Sequence, residues 1–147
     1  MCGIWSSKRR SMFEVLYTAN SGRGTFATGV MQLKELKHNT IKKQGVIDFD
    51  KLTLDETSEY FIGHAQAPTS GVRQWELGTS HPFETQSWAL VHNGVLTNFT
   101  ELVDAYFPKH RNPVDTSIIS ALLQHFTEQL SGPCPAHVVI KQVLELL

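Results

Sequence analysis

The sequence predicts an α+β fold, and two observations carry that prediction. Short β-type runs recur through the first two-thirds of the chain, at 2–6, 28–34, 40–47, 60–65 and 87–92. Helical patterns dominate the remainder, at 98–107, 115–130 and 136–147, after a single one near the start. Strand-rich and helix-rich stretches grouped in this way fit an α+β fold. At 147 residues the chain has the length of about one domain.

Taken in order, Cys2-Gly3-Ile4-Trp5-Ser6 reads as a short buried strand. Met12, Val15, Leu16 and Ala19 fall at helical spacing, and Asn20-Ser21-Gly22 stops that helix. Arg23-Gly24 leads through Gly29-Val30 into a β segment, and 28–34 and 40–47 are expected to pair across Lys37-His38-Asn39. The Arg-Gly stretch lacks the spacing of a phosphate loop. Asp48 to Tyr60 is polar, with a short helical turn. Tyr60-Phe61-Ile62-Gly63-His64-Ala65 is a core strand, and Gln66 to Ser80 a long loop. Ser87 to His92 is another strand, ending in Asn93-Gly94. Asn98 or Thr100 caps the helix to about Phe107, with Leu102, Val103 and Tyr106 as its buried stripe. Asp115 opens the next helix as its expected N-cap, with Ile118, Ile119, Leu122, Leu123 and Phe126 on the apolar face. The last helix, 136–147, presents Val139, Val143, Leu144 and Leu147.

Composition narrows the function classes. A formal charge of −1 supplies no field to hold nucleic acid or an anionic membrane. No apolar run reaches the ~18 residues of a spanning helix. Cys2 and Cys134 are the only cysteines, and without a sign of secretion free thiols in the cytoplasm are expected. The seven histidines make no HExxH or paired-cysteine spacing, so neither a metal nor a cofactor is implied. A redox role for Cys2 lacks a resolving cysteine at CxxC spacing.

The chemistry centres on Met1-Cys2-Gly3. Removal of Met1 would leave one residue with a thiol and a free α-amine. A free thiol sits near pKa ~8.5 and needs help at neutral pH. An α-amine near ~7.7–8.0 is partly neutral and can take the proton. Nucleophile and base then share one residue. A second-position cysteine is most often simply structural, so the case depends on what lies downstream. Asn93-Gly94 is ordinarily a tight turn. Its side-chain amide and the Gly94 N–H could also converge on one oxygen as an oxyanion hole.

Four blocks in order then resemble the class II glutamine amidotransferase domain: Met1-Cys2-Gly3-Ile4; Arg23-Gly24 with Gly29-Val30; Gly63-His64-Ala65-Gln66 with Thr69 and Gly71; and His81-Pro82-Phe83 followed by Val91 to Leu96, Asn98 and Glu101-Leu102. Asp115-Thr116 matches the acidic residue heading the next helix. The spacing looks most like the glutaminase domain of glucosamine-6-phosphate synthase. The resemblance implies a four-layer αββα sandwich of the N-terminal nucleophile hydrolase type, with two stacked, mainly antiparallel sheets. It implies glutamine hydrolysis by Cys2 through a γ-glutamyl thioester, with Asn93 and Gly94 holding the oxyanion. Asp115 would bind the substrate ammonium, the loop at Thr69 the rest of its amino-acid head, and Arg23 would support the nucleophile. The ammonia would pass to a synthase partner.

The chain departs from the family's pattern at three points. Gln66 stands where the family has an arginine for the substrate carboxylate, and a glutamine cannot replace that charge; Arg73, later in the same loop, is the candidate substitute. Ser6 stands where glycine is common. The family domain also continues past 147 into further strands. The chain is then either a minimal free-standing version or a fragment without a synthase domain, whose open edges invite a partner chain or self-assembly into a homo-oligomer. Gln66 and the missing strands leave a second function open: a non-catalytic amidotransferase-like binding or interaction module.

Overall fold

The computed structural model describes residues 2–67, 74–130, 132 and 135–147. They fall into two compact units. The first runs to Pro82 and takes in Val91–Asn93; the second comprises Phe83–Leu90 and everything from Gly94.

The first unit is a four-stranded antiparallel sheet with one helix. Its strands are β1 (Gly3–Ser7), β2 (Ala27–Lys34), β3 (Lys37–Gln44) and β4 (Tyr60–Gln66), in the order β1-β4-β2-β3. β4 is therefore paired on both sides, with Gly3 opposite Ala65 and Ala27 opposite Gln66. Successive side chains alternate between faces. Trp5, Val30, Phe61 and Ala65 point to the face covered by α1 (Arg10–Asn20), where they join Phe13, Tyr17, Ile47 and Leu54 in one core. Ring centroids of Phe13 and Phe61 lie 5.4 Å apart, and those of Trp5 and Tyr17 5.5 Å.

Two local expectations change here. α1 turns Phe13 and Tyr17 inward and leaves Met12, Val15 and Ala19 exposed. Both inward residues are aromatic, four apart on one face, and pack against Trp5 and Phe61, while Leu16 of the expected stripe is partly buried against the same core. The β2–β3 hairpin turns at Glu35-Leu36, both in the left-handed region at φ 49° and 62°, rather than at 37–39. A two-residue turn of that hand fits the twist of the flanking strands, although neither residue is typical of it.

The second unit is mainly helical. Its helices are α2 (Phe99–Tyr106), α3 (Asp115–Gln129) and α4 (Ala136–Leu144). They bury Leu102, Ile118, Ile119, Leu122, Leu123, Val139 and Val143 together. Leu144, placed on the buried face by the sequence pattern, is 65% exposed. Beside the helices runs a two-stranded antiparallel ladder of β5 (Phe83–Glu84) and β6 (Ala89–Leu90). The strand expected over 87–92 thus shortens to two residues. Trp88 packs against the helical core instead and donates its indole N–H to Thr127 Oγ1 at 2.7 Å.

Candidate functional site

Cys2 directly precedes β1, and Gly3 is held opposite Ala65. Continuing the register by one residue puts Cys2 opposite Gln66, on the sheet face away from α1. His64 and Gln66 share that face. Cys2 is buried, and its sulfur meets both backbone groups of Ala67: the thiol donates to the carbonyl at 3.5 Å, and the Ala67 N–H donates to sulfur at 3.4 Å. Gly24 makes this corner possible. A Cβ there would lie 2.5 Å from the Ala65 oxygen and 2.7 Å from the Ala67 nitrogen, so only glycine lets the two backbones meet. Arg23 ends the short helical turn at Ser21–Arg23, with its side chain exposed. A Cβ built on Gly3 would lie 3.4 Å from the Arg23 Cβ, so the arginine stands beside the residue that follows the nucleophile.

Asn93 reaches the same place. Its Nδ2 donates to the Cys2 carbonyl at 3.3 Å, joining residues 91 apart in sequence. That nitrogen carries two hydrogens, so one bond to Cys2 leaves the second for another acceptor. Gln66 is 5% exposed, and its backbone oxygen accepts from Phe26 N at 3.0 Å. Its side-chain Oε1 has no hydrogen-bond partner among the described residues. A buried acceptor without a donor carries a desolvation penalty of about 1–3 kcal/mol.

His64 was legible in the sequence only as part of a motif. Its ring is 1% exposed and stacks on buried His81, with centroids 3.9 Å apart and planes at 24°. Its Nε2 lies 3.1 Å from the His92 carbonyl. Burial lowers its pKa from 6.5 to about 4, more than the bond to His92 can restore. The linkage to stability has a definite sign. As pH falls through 6.5, the unfolded chain takes up a proton that the folded ring refuses. The stabilisation is thus complete above about pH 6.5 and shrinks until pH reaches about 4. Taken whole, that shift is worth about 3 kcal/mol. Urea midpoints should fall steadily from pH 7 to pH 4.5, and His64→Gln should flatten the slope over that window. An unaltered slope in the variant would show that His64 is not the group responsible.

Two of the remaining expected residues fall outside the first unit. Gly94 and Asp115 belong to the second unit. Asp115 is the first residue of α3, not its cap; Val114 holds the capping position. The Asp115 carboxylate accepts from the Leu96 N–H at 2.9 Å and the Thr116 N–H at 2.8 Å, tying the segment after Asn93-Gly94 to the start of α3. This replaces the simple capping role, because a carboxylate at the first helical position can turn back to a nearby N–H and still favour the helix dipole. Asn98 likewise makes no capping bond; its Nδ2 donates to Leu146 O at 2.7 Å. Thr69 and Arg73 lie outside the described residues. Among the described residues no cluster of His, Cys, Asp and Glu is placed to hold a metal, and no helix is long and apolar enough to cross a membrane.

No protein-family model matches the chain. Curated relatives do. Glutamine–fructose-6-phosphate aminotransferase [isomerizing] of Listeria innocua is 31% identical over 113 residues, which span 74% of this chain and 19% of the relative. The enzyme of the same name from Streptococcus pneumoniae is 28% identical over 110 residues, 73% of this chain and 18% of the relative. The chain therefore spans about a fifth of the length of these relatives. Among solved structures, glutamine phosphoribosylpyrophosphate amidotransferase from B. subtilis superposes with a TM-score of 0.69 at 23% identity, over 99% of this chain and 32% of that one. An allosteric regulatory enzyme of purine biosynthesis gives a TM-score of 0.71 at 25% identity with the same coverage. In sequence the chain is similar to part of the glutamine–fructose-6-phosphate aminotransferases, and in fold to glutamine amidotransferases of the N-terminal nucleophile hydrolase type.

Proposed function

We propose that this chain is a glutaminase domain, in which Cys2, freed of Met1, attacks the side-chain amide carbon of glutamine. The observation that carries the proposal is the meeting of Asn93 and Cys2, 3.3 Å apart across 91 positions of sequence. The thiol proton passes to the Cys2 α-amine as sulfur bonds to carbon. The carbonyl electron pair moves to oxygen, where the Asn93 amide and the Gly94 N–H donate to it. Collapse of that intermediate breaks the C–N bond, and the α-amine returns the proton to the departing ammonia. A γ-glutamyl thioester remains, and water cleaves it to glutamate and the free thiol.

Asp115 takes the substrate ammonium. Thr69, Gln66 and Arg73 hold the rest of the amino-acid head, and Arg23 supports the nucleophile. The ammonia goes to a synthase active site on a partner chain, in a cytoplasmic protein that assembles as an oligomer. Relatives named for aminotransfer to fructose-6-phosphate and for phosphoribosylpyrophosphate amidotransfer support ammonia delivery as the purpose of the hydrolysis.

Gln66 favours a second reading, a non-catalytic module with the same fold, because a buried neutral amide stands where the resemblance asks for an arginine. One experiment separates the two. Incubation with an electrophilic glutamine analogue, followed by intact and peptide mass spectrometry, should give a single adduct on Cys2 in a chain lacking Met1. No adduct, or one that persists in Cys2→Ala, would leave only the binding module.

A further inference from the structure

We infer that His64 is a positioning residue for the proposed amide hydrolysis: it fixes the backbone at residue 92 and thereby sets the Asn93 carboxamide against Cys2. The inference rests on the function proposed above and adds a residue to it.

Val91, His92 and Asn93 have no regular secondary structure. Residues on either side belong to the second unit, yet these three pack with the first. Among the described residues, two side-chain hydrogen bonds join them to it. His64 Nε2 meets the His92 carbonyl at 3.1 Å, and one residue later Asn93 Nδ2 meets the Cys2 carbonyl at 3.3 Å. A carbonyl only accepts, so His64 must carry its hydrogen on Nε2. A ring kept neutral by burial holds that tautomer throughout the ordinary pH range.

The donor is mounted rigidly. β4 is paired on both sides. Gly29 faces His64 across β2, and a Cβ there would lie 1.8 Å from the His81 oxygen. The missing side chain admits the His81 backbone and lets its ring stack on His64. A buried histidine that only filled space would not need its one N–H aimed at the residue preceding Asn93. An oxyanion donor on an irregular segment does need such a support, because a misplacement of about 1 Å can cost on the order of 100-fold in rate.

The test compares His64→Gln, whose amide nitrogen reaches about as far along the side chain as Nε2, with His64→Asn, which falls short, and His64→Leu, which has no donor. Glutamine kcat, KM and urea midpoint are read for each. His64→Asn and His64→Leu should lose about 10–100-fold in kcat with KM within about threefold, while His64→Gln stays within about fivefold of the parent kcat. All three should lose similar stability. If His64→Leu does not fold, the Gln and Asn pair decides alone. A parent enzyme that hydrolyses glutamine while the variants fall equally in kcat, or not at all, would overturn the positioning role and leave the proposed function standing. A parent without glutaminase activity would overturn both.

Discussion

Replacing Cys2 by alanine is expected to reduce glutaminase activity to background, a loss on the order of 10⁴-fold or more, since only binding and oxyanion donors remain. The fold should survive. Cys2 precedes β1, and among the described residues its sulfur makes two weak contacts, both with the Ala67 backbone. Cys2→Ser is more discriminating. Serine also permits removal of Met1 and keeps the α-amine, but its hydroxyl is a poorer nucleophile at neutral pH. A few residues fused ahead of Cys2 form the complementary variant: the sulfur stays and the free amine is lost. The proposal requires all three to be inactive. An active fusion would remove the α-amine from the proton-transfer step, and an active Cys2→Ala would remove the thiol from the chemistry. Steady-state ammonia release, with the urea midpoint as control, checks each case.

The parts of this arrangement legible from the sequence were those with a strong local period or a fixed order. The apolar stripe Ile118, Ile119, Leu122 and Leu123 placed α3, because four residues on one helical face must be buried. The runs 60–65 and 2–6 placed β4 and β1, but β1 lies at the sheet edge with Ile4 and Ser6 exposed rather than buried throughout. What failed depended on competition between near-equal candidates. Two stripes were available on α1, and the aromatic pair Phe13 and Tyr17 prevailed through contacts with Trp5 and Phe61 from distant strands. At the β2–β3 hairpin, the polar strand Lys37–Gln44 has no alternation strong enough to fix its register, which is set by the turn at Glu35-Leu36.

The candidate site was legible to a different degree. Asn93 and Cys2 were named from residue type and order, and the fold brings them together. Ala67 and His64 were not singled out, because each acts through geometry that its residue type does not announce. Ala67 addresses the sulfur with its backbone alone. A lone histidine in an apolar strand is ordinarily a core residue, and His64 is one; its additional role appears only where its N–H points. Gln66 shows the converse. The sequence flagged its type, and the structure adds that its Oε1 is buried without a donor among the described residues. An arginine on this face would bring a buried charge in need of a partner, which a neutral amide does not.

The second large effect is expected at Asn93. Asn93→Ala should lower kcat by about 10²–10³-fold, the usual cost of deleting one oxyanion donor, with little change in KM. The reason is differential: the donor acts on the charge that develops on the substrate oxygen, and the ground-state carbonyl presents much less of it. Stability should move much less. Asn93 is exposed, and its one described bond, to the Cys2 carbonyl, is worth about 0.5–1.5 kcal/mol net. Asn93→Asp should be worse than alanine. It keeps the shape but replaces donors with a carboxylate that repels both the oxyanion and the Cys2 carbonyl oxygen. The ordering parent, then Ala, then Asp belongs to a donor of hydrogen bonds. A purely structural asparagine would give parallel losses in kcat and in folding midpoint, with Asp no worse than Ala. Kinetics for glutamine alongside urea melts of the same three proteins distinguish these patterns, and an unchanged kcat in Asn93→Ala would mean that the oxyanion is held by other groups.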